Sequence, residues 1–215
     1  MRNSEVNERK RAFKRIPRHI GVIPDGNRRW AVNCGLEKKD GYQHGLDPGF
    51  QLYDLCREMG VEELTLYGFT VDNTKRPAEQ KSAFQRACVD AVLELSKRDA
   101  ELLVMGNDRS PCFPEELRAF TKRTKFGQGG IKVNFLVNYG WDWDLMNESG
   151  LASRDISRID LIMRWGGMRR LSGFLPVQSV YADIYVLDEF WPEFTEEQFY
   201  RGIAWYQTQD KTLGG

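Results

Sequence analysis

Six short apolar runs alternate with amphipathic stretches along this chain, and that alternation limits its fold more than any other feature. The runs are residues 19–23, 64–69, 102–105, 133–137, 160–165 and 182–187, each too short for a buried helix and suited to a buried strand. Between them, Leu52, Leu55, Cys56 and Met59 fall at i, i+3, i+4 and i+7, one apolar face of a helix stopping at Gly60. Phe84, Cys88, Val92 and Leu95 make a second stripe beyond Pro77, and residues 195–206 a closing helix. This order predicts an α/β fold with a mostly parallel central sheet of about six strands flanked by helices. Ligands of such sheets bind beyond the carboxyl ends of the strands, so the turns after the runs are where chemistry is expected.

The chain has 215 residues, enough for one domain with a full core. We read residues 1–15 as a polar, basic tail without the apolar stretch of a signal peptide, and 16–215 as a single catalytic domain. Lys plus Arg and Asp plus Glu both number 31, so no overall field draws in nucleic acid, and anion sites must come from local clusters. No apolar run approaches the roughly 18 residues of a transmembrane segment. Cys34, Cys56, Cys88 and Cys112 form no CxxC pair and there are two histidines, which predicts free thiols in a reducing cytoplasm.

Three turns carry candidate chemistry. In Pro24-Asp25-Gly26-Asn27-Arg28-Arg29-Trp30 a strand delivers Asp25 to a tight turn opening a helix, whose first N–H groups favour phosphate. Arg28 and Arg29 add forked donors, and Asp25 is the hard oxygen ligand that Mg²⁺ shares with a diphosphate; the plainer reading is a helix cap. Phe69 through Pro77, with Asn73 and Arg76, follows a second strand and by itself reads as a solvated loop and helix start. In residues 164–172, Arg164, Arg169, Arg170 and Ser172 surround Gly166-Gly167, a second oxyanion site. Arg164 at the end of an apolar strand needs an anionic partner. Two arginine-rich pockets point to two phosphorylated substrates, and no GxxxxGK[ST] loop is present to suggest a nucleoside triphosphatase.

These segments, in this order, resemble the cis-prenyltransferase, or undecaprenyl diphosphate synthase, family. The resemblance runs from His19 to Phe194 and includes residues 64–67, Asn138-Tyr139-Gly140, and Arg164 to Ser172 followed by Gln178, Tyr181 and Tyr185. It implies a Mg²⁺-dependent transferase and a homodimer with an apolar cleft between helices. It also implies that Asp25 is essential at the metal and the allylic diphosphate, with Asn27, Arg28, Arg29 and Lys38 lining that diphosphate and Gly26, Trp30 and Arg76 further substrate-binding residues. Arg164, Arg170 and Ser172 would hold the second diphosphate. Asp183 stands at a family glutamate implicated in metal binding, and Asn73 near the acceptor's reacting carbon.

Departures from the family pattern crowd the acceptor side. Asp72 and Thr74 replace Glu and Trp, Asp142 replaces an arginine after Asn138-Tyr139-Gly140, Trp165 and Met168 alter the strand exit, and Val177 replaces a tryptophan. Tyr42 stands for a histidine, with His44 close by, and a helical stretch before residue 160 is largely missing. The Asp25 side is nearly intact. The expected reaction is therefore irregular condensation of two dimethylallyl diphosphates to a branched, cyclised monoterpene diphosphate. The alternatives are ordinary cis addition of isopentenyl diphosphate and a non-catalytic partner subunit. Asn73 with a phosphate oxygen, or His44, are candidate bases; Trp165 and Trp141 either shield a carbocation or pack as core.

Overall fold

The computed structural model describes residues 13–147 and 150–210. Strands β1 (His19–Ile23), β2 (Glu63–Tyr67), β3 (Ala100–Met105), β4 (Thr124–Phe126), β5 (Ile131–Leu136), β6 (Leu161–Arg164) and β7 (Asp183–Val186) form one sheet in the order β4-β3-β5-β2-β1-β6-β7. Every pairing is parallel except β3 with β4. The sheet thus has one strand more than expected. β4 is three residues long on an edge, too short to leave a periodic signal.

Strands β1, β2 and β6 are buried along their whole length, as expected of parallel strands covered on both faces. Their side chains alternate between two cores. Ile20, Val22, Leu64, Leu66, Leu161 and Met163 join the larger one, beneath helices α2 (Leu46–Met59), α3 (Ala78–Leu95) and α5 (Glu196–Tyr206). Gly60, left-handed at φ 81, ends α2, where a side chain would be strained. Ile23, Tyr67 and Ile162 face a smaller core closed by Ile156, Ile159, Phe174 and Leu175, with Trp143 of the short helix α4 (Trp141–Leu145) beside it. Phe174 lies so close to Gly21 that a Cβ there would sit 2.6 Å from its ring.

The connection leaving β1, through helix α1 (Asn27–Asn33), runs to the helical face. The one leaving β6 carries Phe174 and Leu175 to the opposite face. Adjacent strands whose connections part in this way open a crevice at their carboxyl ends. At the other end of the sheet lies a buried polar cluster. His19 bonds the Ser157 carbonyl through Nδ1 (3.0 Å) and Thr65 Oγ1 through Nε2 (2.8 Å). Asn134 donates to Thr65 and to Glu63, which also accepts from Ser157.

Residues 1–12 of the expected tail lie outside the described residues. The packed chain begins no later than Phe13, which stacks on Tyr200, and Arg15 lies 4.0 Å over the Tyr206 ring. No helix among the described residues is long and apolar enough to cross a membrane.

Candidate active site

The β1–β6 register sets Ile23 beside Arg164, so Asp25, two residues past the strand end, meets the Arg164 side chain. Arg164 donates to Asp25 Oδ2 at 2.9 Å. Asp25 Oδ1 accepts the Gly26 N–H at 2.6 Å and lies 3.5 Å from Arg29. Gly26 has φ 102, and the Phe190 ring occupies the space a Cβ would need, so the turn requires glycine. Arg29 donates to the Gly166 carbonyl at 2.9 Å and lies 4.9 Å over Phe190, tying the first turn to the third.

Around this pair opens a cleft of about 720 Å³. Asp25, Gly26, Asn27, Arg28, Arg29, Lys38, Asn73, Arg76, Arg164, Arg170 and Ser172 all line it. On α1 the arginines, Val32 and Asn33 share the face toward the cleft, as positions four apart do on a helix. Trp30 does not line the cleft, and its ring meets His44 at a tilt of 51° with centroids 4.7 Å apart. His44 is exposed and does not line the cleft.

Ser172 is held at φ 53, a conformation that costs about 1–3 kcal/mol outside glycine. Arg164 stabilises it, donating to Ser172 Oγ at 3.1 Å and to the Arg170 carbonyl, while Tyr67 donates to the Ser172 carbonyl at 2.8 Å. Asn73 Oδ1 accepts the Thr70 N–H at 3.0 Å, fixing its 3₁₀ turn (Val71–Lys75) at the cleft wall.

Asp183 does not join the site. It pairs with Leu161, whereas Val186 pairs with Arg164, so Asp183 lies three residues, about 10 Å, back toward the amino ends of the strands. Burial raises its carboxyl pKa, opposed by Arg15 and aided by Asp160. Within this chain Asp183 cannot share a metal ion with Asp25. Neither tryptophan lines the cleft: Trp165 is fully buried against Trp191 and Phe194, and Trp141 is half exposed, its ring over Gly173 beside the cleft residue Ser172.

Among the described residues no three His, Cys, Asp or Glu side chains gather to hold a metal alone. Asp72 reaches the cleft rim but is exposed and paired with Lys75 at 2.7 Å. One carboxylate, Asp25, amid arginines fits Mg²⁺ as that ion binds with phosphorylated substrates, through one or two carboxylates plus phosphate oxygens.

Tyr42, Phe84 and Phe190 line the cleft too and carry no signal in the sequence that marks them as site residues. Phe84 reads from its spacing as core, and Tyr42 shows only as a replaced histidine. Tyr42 accepts a 2.8 Å bond from Arg76. Burial lowers the Arg76 pKa, and the absence of any carboxylate bonded to it among the described residues suits it to an anion. Behind Tyr42 and Phe84 lies an apolar slot of about 80 Å³, with Leu46, Phe50, Leu66, Cys88 and Trp191 on its walls.

Residues 23–214 match the family model described as "Putative undecaprenyl diphosphate synthase". The chain is 32% identical to a ditrans,polycis-undecaprenyl-diphosphate synthase of Pectobacterium atrosepticum, covering 93% of this chain and 90% of that one. It is 30% identical to an isoprenyl transferase of Thermus thermophilus, over 93% and 89%. The fold matches a crystal structure of lavandulyl diphosphate synthase from Lavandula x intermedia in complex with dimethylallyl diphosphate, with a TM-score of 0.79, 22% identity, and 93% and 98% of the two chains covered. With its crevice, its arginine-lined cleft and a family match over nearly its whole length, the chain belongs to the cis-prenyltransferase family of prenyl-transferring enzymes.

Proposed function

We propose that this protein is a cytoplasmic, homodimeric, Mg²⁺-dependent enzyme that condenses two dimethylallyl diphosphates into an irregular branched monoterpene diphosphate and cyclises it, as a cyclolavandulyl diphosphate synthase does. The observation that carries the reading is the slot behind Tyr42 and Phe84. At about 80 Å³ it suits a hydrocarbon of a few carbons better than a polyprenyl tail. The acceptor-side replacements, among them Asp72, Thr74 and Met168, support a changed acceptor. Exposed Val180 and Tyr181, just before edge strand β7, and Ile184 within it are apolar surface that a second copy would cover.

In this reading Arg28, Arg29, Lys38 and Arg76 stabilise the charge that develops on the departing diphosphate, and such preorganised charge is usually the main source of rate in a site of this kind. Asp25 would hold Mg²⁺ together with phosphate oxygens, and the bound ion would supply Lewis-acid neutralisation of that charge. Arg164, Arg170 and Ser172 fix the second diphosphate so that its double bond lies over the electron-poor allylic carbon; positioning lowers the barrier further. The electron pair of that double bond forms the new carbon–carbon bond as the carbon–oxygen bond breaks toward diphosphate. The rings of Tyr42, Tyr67 and Phe84 replace Trp165 and Trp141 as faces that attract the cation. The closing proton passes to a phosphate oxygen beside Asn73, since His44 lies off the cleft.

A second reading, addition of isopentenyl diphosphate, is favoured by the curated relatives, which are polyprenyl diphosphate synthases or isoprenyl transferases. Purified protein with Mg²⁺ and dimethylallyl diphosphate alone, its products dephosphorylated and analysed by mass spectrometry, separates the two. A ten-carbon alcohol establishes irregular coupling, and its fragmentation shows ring closure. Product formed only after isopentenyl diphosphate is added establishes conventional elongation.

A further inference from the structure

We infer that Asp25 and Arg164 are a partner-exchange pair, in which Asp25 withholds the second diphosphate site until Asp25 itself is engaged by the cation accompanying the first. This rests on the reading of the cleft as a two-diphosphate site and adds an order of assembly to it.

The two side chains differ sharply in access. That of Arg164 is 3% exposed and that of Asp25 is 36% exposed. Arg164 therefore lies beneath a carboxylate that reaches the mouth of the cleft. Among the described residues Asp25 is the one carboxylate paired with Arg164, at 2.9 Å. The other guanidinium nitrogens show a group waiting for more. One donates to Ser172 Oγ and the Arg170 carbonyl, and Nε is buried with no hydrogen-bond partner.

A buried cation is tolerated while it is paired and becomes costly when its partner is withdrawn. Engaging Asp25 at the mouth divides the carboxylate's charge and leaves Arg164 in need of another anion. Ser172 and the Arg170 carbonyl already hold the guanidinium in place, so an arriving diphosphate finds its donor pre-ordered. Without that engagement the diphosphate must displace Asp25 and bear its repulsion. The coupling is reciprocal by linkage: a diphosphate on Arg164 frees Asp25 for the cation.

Titration calorimetry with inorganic pyrophosphate in EDTA tests this on the wild type, Asp25→Asn, Arg164→Gln and the double variant. Asp25→Asn is expected to tighten binding about tenfold in the wild-type background, within the usual range for coupled sites, and less than about twofold in the Arg164→Gln background. Equal gains in both backgrounds would show that only a negative charge had been removed, and would overturn the inference, as would no gain in either. Should Arg164→Gln fail to fold, Arg164→Lys replaces it, because an ammonium lacks the fork that spans Asp25, Ser172 and the Arg170 carbonyl; a gain as large as in the wild-type background overturns the inference there too. Absence of pyrophosphate binding to the folded wild type would instead sink the two-diphosphate reading and the inference with it.

Discussion

Tyr42 and Phe84 stack face to face, ring centroids 4.5 Å apart and planes 3° from parallel, where the cationic cleft meets the apolar slot. Both rings line both cavities. Arg76, 5.6 Å from the Phe84 ring and bonded to the Tyr42 hydroxyl, clamps the stack from the polar side, and Phe69 meets Phe84 edge-on at 5.7 Å. The stack therefore sets how far a hydrocarbon can reach.

Phe84→Ala widens the passage between the cleft and the slot, which share Pro24, Asn27, Tyr42, Tyr67, Gly68 and Phe84 as walls. The variant is expected to accept a ten-carbon allylic diphosphate as donor, with kcat/KM for it rising at least about tenfold, the scale on which apolar pockets discriminate. Steady-state kinetics with geranyl diphosphate checks this. An unchanged ratio between five- and ten-carbon donors would place the length limit elsewhere.

Asp25→Asn is expected to lower kcat by about 10²–10³, the usual loss when a site loses one electrostatic stabiliser. A loop aspartate should cost the fold little, but Asp25 neutralises Arg164, so Asp25→Ala should also lose about 1–3 kcal/mol of stability. Denaturant melts beside single-turnover rates separate the two effects. Full turnover in a variant that binds Mg²⁺ and substrate normally would remove Asp25 from the site.

What the sequence reveals and what it conceals divide along physical lines. The helical stripe ending at Met59, the turn at Gly26 and the strand carrying Arg164 are legible because each is a local pattern: a period, a glycine, an apolar run closed by a charge. Asp183 is misplaced by sequence reasoning because its height along the sheet depends on pairing between β6 and β7, which composition does not encode. Trp30 lies off the cleft that Arg29 lines because adjacent helix positions differ by about 100°, so proximity in sequence to Arg29 says little about direction. Tyr42 and Phe84 belong to different elements, and only the packing of α3 against the segment before α2 brings them together.

His19 should make stability depend on pH. Burial lowers its pKa, against the raising influence of Glu63 and the backbone, and its bonds fit the neutral ring, Nδ1–H donating to Ser157 and Nε2 accepting from Thr65. The unfolded chain takes up a proton below about pH 6.5 while the folded one resists, so stability is full above that value and falls as the medium is acidified. For Glu63, burial pushes the carboxyl up, but His19, Ser157, Asn134 and Arg123 bring it below the ordinary value; its contribution is lost later, as pH falls below about 4.3. His19→Gln is expected to abolish the decline between about pH 6.5 and 5 and, because it removes the charge that most depresses the Glu63 carboxyl, to weaken the lower one. Urea midpoints across that range check it, and a decline that persists would assign the first step to another group.

Trp165 offers the sharpest separation of packing from chemistry. It is fully buried, meets Trp191 edge-on at 4.8 Å, and donates through Nε1 to Gln198 Oε1 at 3.0 Å. Gln198 also accepts the Thr195 N–H at the start of α5, so the indole helps anchor that helix to β6. Trp165→Phe keeps an aromatic face but loses the donor and part of the volume. A loss of about 2 kcal/mol is expected, roughly 4–8 °C in melting temperature for a domain of this size. Because the ring lies in the helical core while the cleft opens on the other side of Arg164, the ratio of cyclised to open products should not change. A shifted ratio at preserved stability would mean that the indole reaches the reacting carbons; a lower melting temperature with the same products assigns it to the core.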